Sequence, residues 1–180
     1  MKVKVIIILI GIFTIQFISS CCKGFEYYDF TTMDVVFLSD TVGQDSSFEI
    51  ELSASDLFYL SMSVSDLGFA HTLAFSCDEG REGMKHPFEN IEITSNNVFN
   101  NEYSANENLF QLFEIEEFKG MGEFEYKKLS DVKLEKLQGE FMRLRLKQRP
   151  TGSQIHNFTF KFTKSNKEEI IVETGEITWL

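Results

Sequence analysis

The residues of this chain best placed to do chemistry are a serine and a lysine three apart, in Ser130-Asp131-Val132-Lys133. On a helix that spacing sets a Lys amine one turn from a Ser hydroxyl, where it can take the proton and leave a nucleophile. Enzymes built on the pair also carry SDN and KTG motifs, and the sequence has neither. Ser130 and Lys133 therefore stand as weak catalytic candidates, and the stronger reading makes Ser130 the N-cap of a short helix over 130–137. His71, His86 and His156 are far apart and none belongs to an HExxH pair, so no metal centre and no cofactor is expected. There is no GxSxG elbow, and Gly120-Met121-Gly122 lacks the third glycine of a dinucleotide loop. Glu114, Glu116, Glu117 and Glu123 crowd together without a spacing that opposes an acid to a base. They read as a solvated acidic face, or at most a loose Ca²⁺ contact.

The strongest chemical signal lies at the N-terminus. Lys2 and Lys4 precede a run from Val5 to Ile18 that is nearly all Val, Ile, Leu or Phe. The run is short for a permanent span, which needs roughly 20 apolar residues, and has the layout of a secretory signal. Ile18-Ser19-Ser20-Cys21, an aliphatic residue, two small ones and a cysteine, resembles the lipobox of bacterial lipoproteins. The resemblance implies removal of residues 1–20, lipidation of Cys21 and a tether over 21–29. With about 0.8 kcal/mol per buried CH₂, two or three acyl chains make such an anchor effectively permanent. The alternative is an ordinary cleaved signal and a secreted protein. Cys22 and Cys77 are then the remaining thiols. In an oxidising compartment they either form a disulfide, closing a loop of about 55 residues worth about 4 kcal/mol, or stay free with Cys77 buried at a strand end.

Residues 30–180 must supply the scaffold, and their pattern is that of strands. Short alternating stretches predict strands near 32–38, 48–54, 57–64, 69–76, 91–94 and 124–127. Turns fall at Ser39–Ser47, Ala54–Asp56 and Ser65–Gly68. The clearest alternation is C-terminal: Met142, Leu144 and Leu146 against Arg143, Arg145 and Lys147, then Phe158, Phe160 and Phe162 against Thr159, Lys161 and Thr163. Lys164–Lys167 reads as a hairpin turn, with strands at 169–173 and 176–180. Leu109–Phe113 reads as one helical turn over an open end of the sheet. The expected fold is mainly β, a single antiparallel β-sandwich over 30–180 of the immunoglobulin-like kind with one or two short helical turns; a barrel is the less favoured alternative. The 19 Phe against 5 Tyr and 1 Trp point to core rather than to a sugar-binding platform.

The net charge is -11, and loss of residues 1–20 removes two lysines and no acid, which leaves -13. A body this acidic is repelled by phosphate backbones and anionic headgroups, so nucleic-acid binding is disfavoured and membrane contact falls to the lipid.

The double Cys21-Cys22, the strand ending Ala74-Phe75-Ser76-Cys77, the Asn-rich Ser95–Asn101 followed by Asn108-Leu109-Phe110, and Pro150-Thr151-Gly152-Ser153 leading into Phe158-Thr159-Phe160 resemble an uncharacterised family of Bacteroidetes lipoproteins. The resemblance implies an outer-membrane lipoprotein of β-sandwich type, on the periplasmic or surface face, and brings no catalytic residue. Within it, Asp40-Thr41-Val42 resembles the triplet on which such bacteria place O-glycans, which makes Thr41 a candidate for modification. The expected role is a non-enzymatic binding or assembly module whose partner is an envelope protein or glycan. Its working surface is expected at the irregular segments Asp78–Phe88 and Ser95–Phe118, since loops on a rigid sandwich carry recognition. The alternatives are an enzyme acting on envelope glycans or peptidoglycan, and a pilus-like subunit that exchanges a terminal strand over 176–180.

Overall fold

The computed structural model describes residues 27–37, 39–60, 80 and 82–180. The lipobox with Cys21, the Cys22 and Cys77 pair, His71, the strand at 69–76, the turn at Ser65–Gly68 and the start of the segment at Asp78 lie outside the described residues. The strands are β1 (Tyr27–Asp29), β2 (Met33–Phe37), β3 (Thr41–Val42), β4 (Phe48–Ala54), β5 (Phe58–Leu60), β6 (Phe88–Ser95), β7 (Phe113–Gly120), β8 (Glu123–Lys128), β9 (Phe141–Leu146), β10 (Ile155–His156), β11 (Phe158–Lys164), β12 (Glu169–Glu173) and β13 (Ile177–Trp179). The helical content described is three single 3₁₀ turns, Phe110–Leu112, Leu129–Asp131 and Leu134–Lys136.

Two compact units share these elements. In the smaller, β1 pairs antiparallel with β5 from Tyr27↔Leu60 to Asp29↔Phe58, and Tyr28 exchanges backbone hydrogen bonds with Gly83 and Lys85 on its other side.

The larger unit, residues 30–57 and 86–180, is the mainly β sandwich expected from the alternation. One sheet runs β2-β4-β9-β7-β8 and a second runs β12-β11-β6, both antiparallel throughout. A third, small sheet orders β10-β13-β3, and its β13–β3 pairing is parallel. Thr41 and Val42, expected in a turn, are thereby a short strand beside Thr178 and Trp179.

Period-two patterning decides what goes inside. Phe48, Ile50 and Leu52 of β4, Met142, Leu144 and Leu146 of β9, and Phe113 and Ile115 of β7 are buried. They face Phe158, Phe160 and Phe162 of β11, Ile91 and Ile93 of β6, and Ile170 and Val172 of β12. The contacts are aromatic: Phe113 meets Phe158 and Phe160 edge-on at 5.9 and 5.7 Å, and Phe48 stacks on Phe158 at 5.4 Å. Phe158 also lies 5.9 Å from Trp179 and 5.8 Å from His156, so one ring joins all three sheets. Alternation carries Lys164 inward as the last residue of β11. Its ammonium is fully buried, held by the Phe30 carbonyl and, at 3.2 Å, by Glu168.

The Asn-rich stretch is stapled. Asn108 Oδ1 accepts from the backbone N–H of Ile93 and Phe110, Asn100 Oδ1 from those of Glu102 and Tyr103, and Asn96 Oδ1 from that of Asn157. Thr151 and Gly152 donate to Phe99 O and Ser153 donates to Val98 O, so the Pro150–Ser153 segment clamps the same loop. A Cβ at Gly152 would fall 2.4 Å from Val98 O, which explains glycine there. Asx geometry of this kind lets a loop satisfy its own peptide groups without a ladder.

Phe158→Ala removes the ring shared by the three sheets and is expected to cost about 3–5 kcal/mol, a large part of the roughly 5–15 kcal/mol typical of a domain. Urea unfolding should show a lower midpoint with an unchanged slope; a loss under about 1 kcal/mol would mean that the sheets do not depend on this contact.

Candidate functional site

Two surfaces of the sandwich combine charge, relief and exposed apolar side chains, and both lie on the five-stranded sheet. Its outward face carries a ladder of opposite charges set by register. Glu51 stands across from Arg143 and Glu49 across from Arg145 on β4 and β9, while Glu114 faces Arg145 on β7. Arg143 Nε donates to Glu51 Oε1 at 2.9 Å and its Nη1 reaches Glu116 at 3.3 Å. Arg145 Nε donates to Glu114 Oε2 at 3.0 Å, Lys147 adds a second cation at 3.2 Å, and the Arg145 guanidinium lies 3.5 Å from the centre of the Tyr126 ring.

Titration is governed by this packing. Burial alone would raise the Glu114 carboxyl, yet Arg145 and Lys147 hold it below its ordinary range. The Tyr126 phenol is pushed up, first by burial and then by Glu49 and Glu116. Glu114 and Glu116, expected on a solvated acidic face, are instead half-buried members of an ion-paired strand. Glu117, on the same strand, is held by Lys127.

Beyond this ladder the sheet divides. β9 pairs with β4 along all six of its residues, but with β7 only from Phe113↔Leu146 to Ile115↔Leu144. β7 then runs on to Gly120 paired with β8 alone. The two strands form a fork, and the fork holds a cleft of about 740 Å³. The connection between β8 and β9 lines it with Asp131, Val132, Lys133, Lys136 and the buried Leu137. Phe118, Phe124 and Phe141 line it too, and they are 64%, 61% and 52% exposed although rings of this size are normally covered. Phe118 and Phe124 lean on each other at 5.4 Å, across a hairpin whose tip, Gly120-Met121-Gly122, has positive φ at all three residues.

Of the residues singled out in the sequence, Lys133 lines the cleft, and Ser130 lies beside it in the preceding turn. The expected helix over 130–137 is two separate 3₁₀ turns with Val132 and Lys133 extended between them, so no helical turn stacks the Lys133 amine on Ser130. Ser130 is not an N-cap: its hydroxyl contacts Asp131 at 3.4 Å and Lys128 occupies the capping position. Gly139, two residues before β9, is closely packed: a Cβ there would strike the Phe30 ring at 2.6 Å. Thr41 is exposed on β3, its hydroxyl bonded to Asp40 at 3.2 Å. The expected loop surface changes character, because Ser95–Asn108 is hydrogen-bonded shut and Phe113–Gly120 is strand. The sequence signal that could have found β7 is Phe113-Glu114-Ile115-Glu116, whose alternation is interrupted by Glu117.

A serine and a histidine that sequence spacing did not join do meet. Ser95 Oγ and His156 Nδ1 are 2.6 Å apart, and His156 Nε2 lies 3.0 Å from the Ser153 carbonyl. A carbonyl only accepts, so Nε2 carries the proton and Nδ1 accepts from the serine. The pair is buried under Phe99, Phe158 and Trp179, which closes it to a substrate. Among the described residues no group of His, Cys, Asp and Glu could hold a metal, and no helix is long and apolar enough to cross a membrane.

The chain matches no family model, no curated protein and no solved structure.

Burial drives the His156 imidazole below its ordinary 6.5, against the pull of the Ser153 carbonyl. A depressed histidine binds fewer protons folded than unfolded, so its share of stability is full above pH 6.5 and declines as pH falls below it. Burial would raise Asp56, but hydrogen bonds from Thr31 and Thr32 bring it down to about 2. Its share is present above the ordinary 3.8 and is lost as pH falls toward 2. Urea midpoints measured from pH 8 to pH 2 should therefore fall in two stages. His156→Gln should remove the first stage and Asp56→Asn should blunt the second; an unaltered profile in either variant refutes its assignment.

Proposed function

We propose that the protein is a lipid-anchored module of the cell envelope that works by binding a partner rather than by turning over a substrate. The observation that carries the reading is Ile18-Ser19-Ser20-Cys21 behind its basic start and apolar run, which resembles a lipobox and leaves Cys21 as the acylated residue. The resemblance to Bacteroidetes lipoproteins supports an outer-membrane location, with Cys22 and Cys77 the candidate disulfide and Thr41 a candidate O-glycan site. An acidic body has no attraction for anionic headgroups, so attachment rests on the acyl chains.

Several features of the body favour binding. The carboxylates that face the fork, Glu116 and Glu117, are each held by a cation, which leaves neither poised as a general base. Ser130 and Lys133 are not stacked, and the Ser95–His156 pair is inaccessible. The alternative of an enzyme on envelope glycans retains one supporting feature, the concavity of the cleft with Asp131 and Glu140 at its edge. A pilus-like exchange of the terminal strand has less support, since β13 is paired on both edges, with β10 and β3.

Metabolic labelling of cells with an alkyne fatty acid should tag the wild-type chain and leave Cys21→Ala unlabelled, with the variant retained as a larger precursor. Equal labelling of Cys21→Ala, or a wild-type chain that is released from membranes by salt alone, would overturn the anchor. Photo-crosslinking in intact cells should then recover one envelope component with the wild-type protein.

A further inference from the structure

The fork in the five-stranded sheet is an unusual place for a fold to leave open. Backbone direction shows what it offers. Ala54 N donates to Glu140 O at 2.9 Å, which fixes the even-numbered residues of β9 as the ones that bond β4. The peptide groups of odd-numbered residues therefore point to the β7 side, and the last ladder pair on that side is Ile115↔Leu144. Phe141 lies beyond it, so its N–H and C=O face the fork with no strand of the described residues opposite. On the other prong, β7 residues past Glu116 have β8 on one side and the cleft on the other. A strand edge of this kind is a template for another chain, and proteins ordinarily blunt it.

The cleft is also built for side chains. Phe118, Phe124 and Phe141 give it exposed apolar walls over the buried Leu137. At about 740 Å³ it lies inside the range of pockets that hold a ligand. Its charge is mixed and unevenly committed. Arg143 and Lys127 are already paired with Glu116, Glu51, Glu117 and Glu125. Lys133 and Lys136 are exposed on the rim and have no ion pair among the described residues, and the same holds of Asp131 and Glu140, which also line the cleft. The uncommitted charge of the cleft is thus two cations and two acids, and the cations, three residues apart, mark the side on which an acidic side chain of a bound segment would be received.

We infer that the fork binds an extended peptide segment of a partner protein, alternating apolar and acidic residues, which pairs its backbone with the open edge of β9 at Phe141 and sets its acidic side chains against Lys133 and Lys136. The open backbone favours peptide over glycan, because a sugar cannot complete a ladder, and the alternation follows from the two-residue period of a strand. The inference rests on the binding-module reading and names the chemistry of the partner.

A capped hexapeptide alternating valine and glutamate, fluorescently labelled, serves as the probe against the full chain in detergent. Anisotropy should report saturable binding, and hydrogen exchange should show new protection at 141–143. Lys133→Glu combined with Lys136→Glu, both exposed positions, should weaken binding on the order of tenfold with an unchanged melting temperature. N-methylation of alternate amides in the peptide should abolish it. No binding, equal binding of the N-methylated peptide, or protection confined to another face overturns the inference. So does preferential binding of an oligogalacturonate, which points to a glycan site, or of zwitterionic vesicles through Phe118, Met121 and Phe124. Any of these failures alongside retained fatty-acid labelling and a cross-linked component refutes the peptide site alone; failure of the labelling and the cross-link refutes the module reading itself.

Discussion

Phe158 is the contact on which the sandwich depends. It stands on β11, two residues after the short β10 ends, so its ring is presented to the five-stranded sheet through Phe48 and Phe113 and to the third sheet through His156 and Trp179. Small sheets of two or three strands are marginal alone. The strands β10, β13 and β3 gain their stability by packing Trp179 and His156 on a ring that the other sheets also need. The fully buried His156 is tolerated because both of its nitrogens are satisfied, one by Ser95 and one by Ser153, which is the condition for burying a polar ring without a net cost.

The acidity of the chain poses a second constraint that the outer sheet face resolves. Carboxylates repel one another along a strand, and the register answers by setting Arg143 and Arg145 between β4 and β7, Arg143 paired with Glu51 and Glu116 on either side and Arg145 paired with Glu114. Pairs exposed at this level contribute only about 0–1 kcal/mol each. Their effect is more on specificity than on stability: a slip of β9 by one residue would turn both arginines into the core and the leucines out, so the alternation fixes one register.

Much of this was legible in advance because period-two alternation is a strong signal wherever one face is buried. The strands at 48–54 and 169–173 begin and end where the sequence places them; β9 departs by a residue at each end and β11 by a residue at one. The misses have physical causes. β7 reads as irregular because Glu117 and Lys119 break the pattern, and they can do so because that half of the strand is in the fork and has no inward face to keep apolar. β3 and β10 are two residues long, too short to display a period, and exist through β13. The helix expected over 130–137 is replaced by two 3₁₀ turns with Val132 and Lys133 extended between them, and the Ser-Lys spacing loses its meaning with the helix. The Ser95–His156 contact spans 61 residues and no local rule could have joined them.

The fork has a comparable physical origin. Alternation already sets Phe118 with Glu116 and Phe141 with Arg143 on the outer face of the sheet, where β7 and β9 part beyond Ile115. The open fork exposes three aromatic rings and leaves the peptide groups of Phe141 with no strand of the described residues opposite, a cost that the fold does not accept in the Asn-rich loop. That loop satisfies its peptide groups with Asn96, Asn100 and Asn108. The chain has the means to close an edge and uses them at 95–108 but not at 116–120. The difference in treatment between two neighbouring stretches of one sequence sets the split strand pair apart from the asparagine-rich loop, whose backbone is already spoken for.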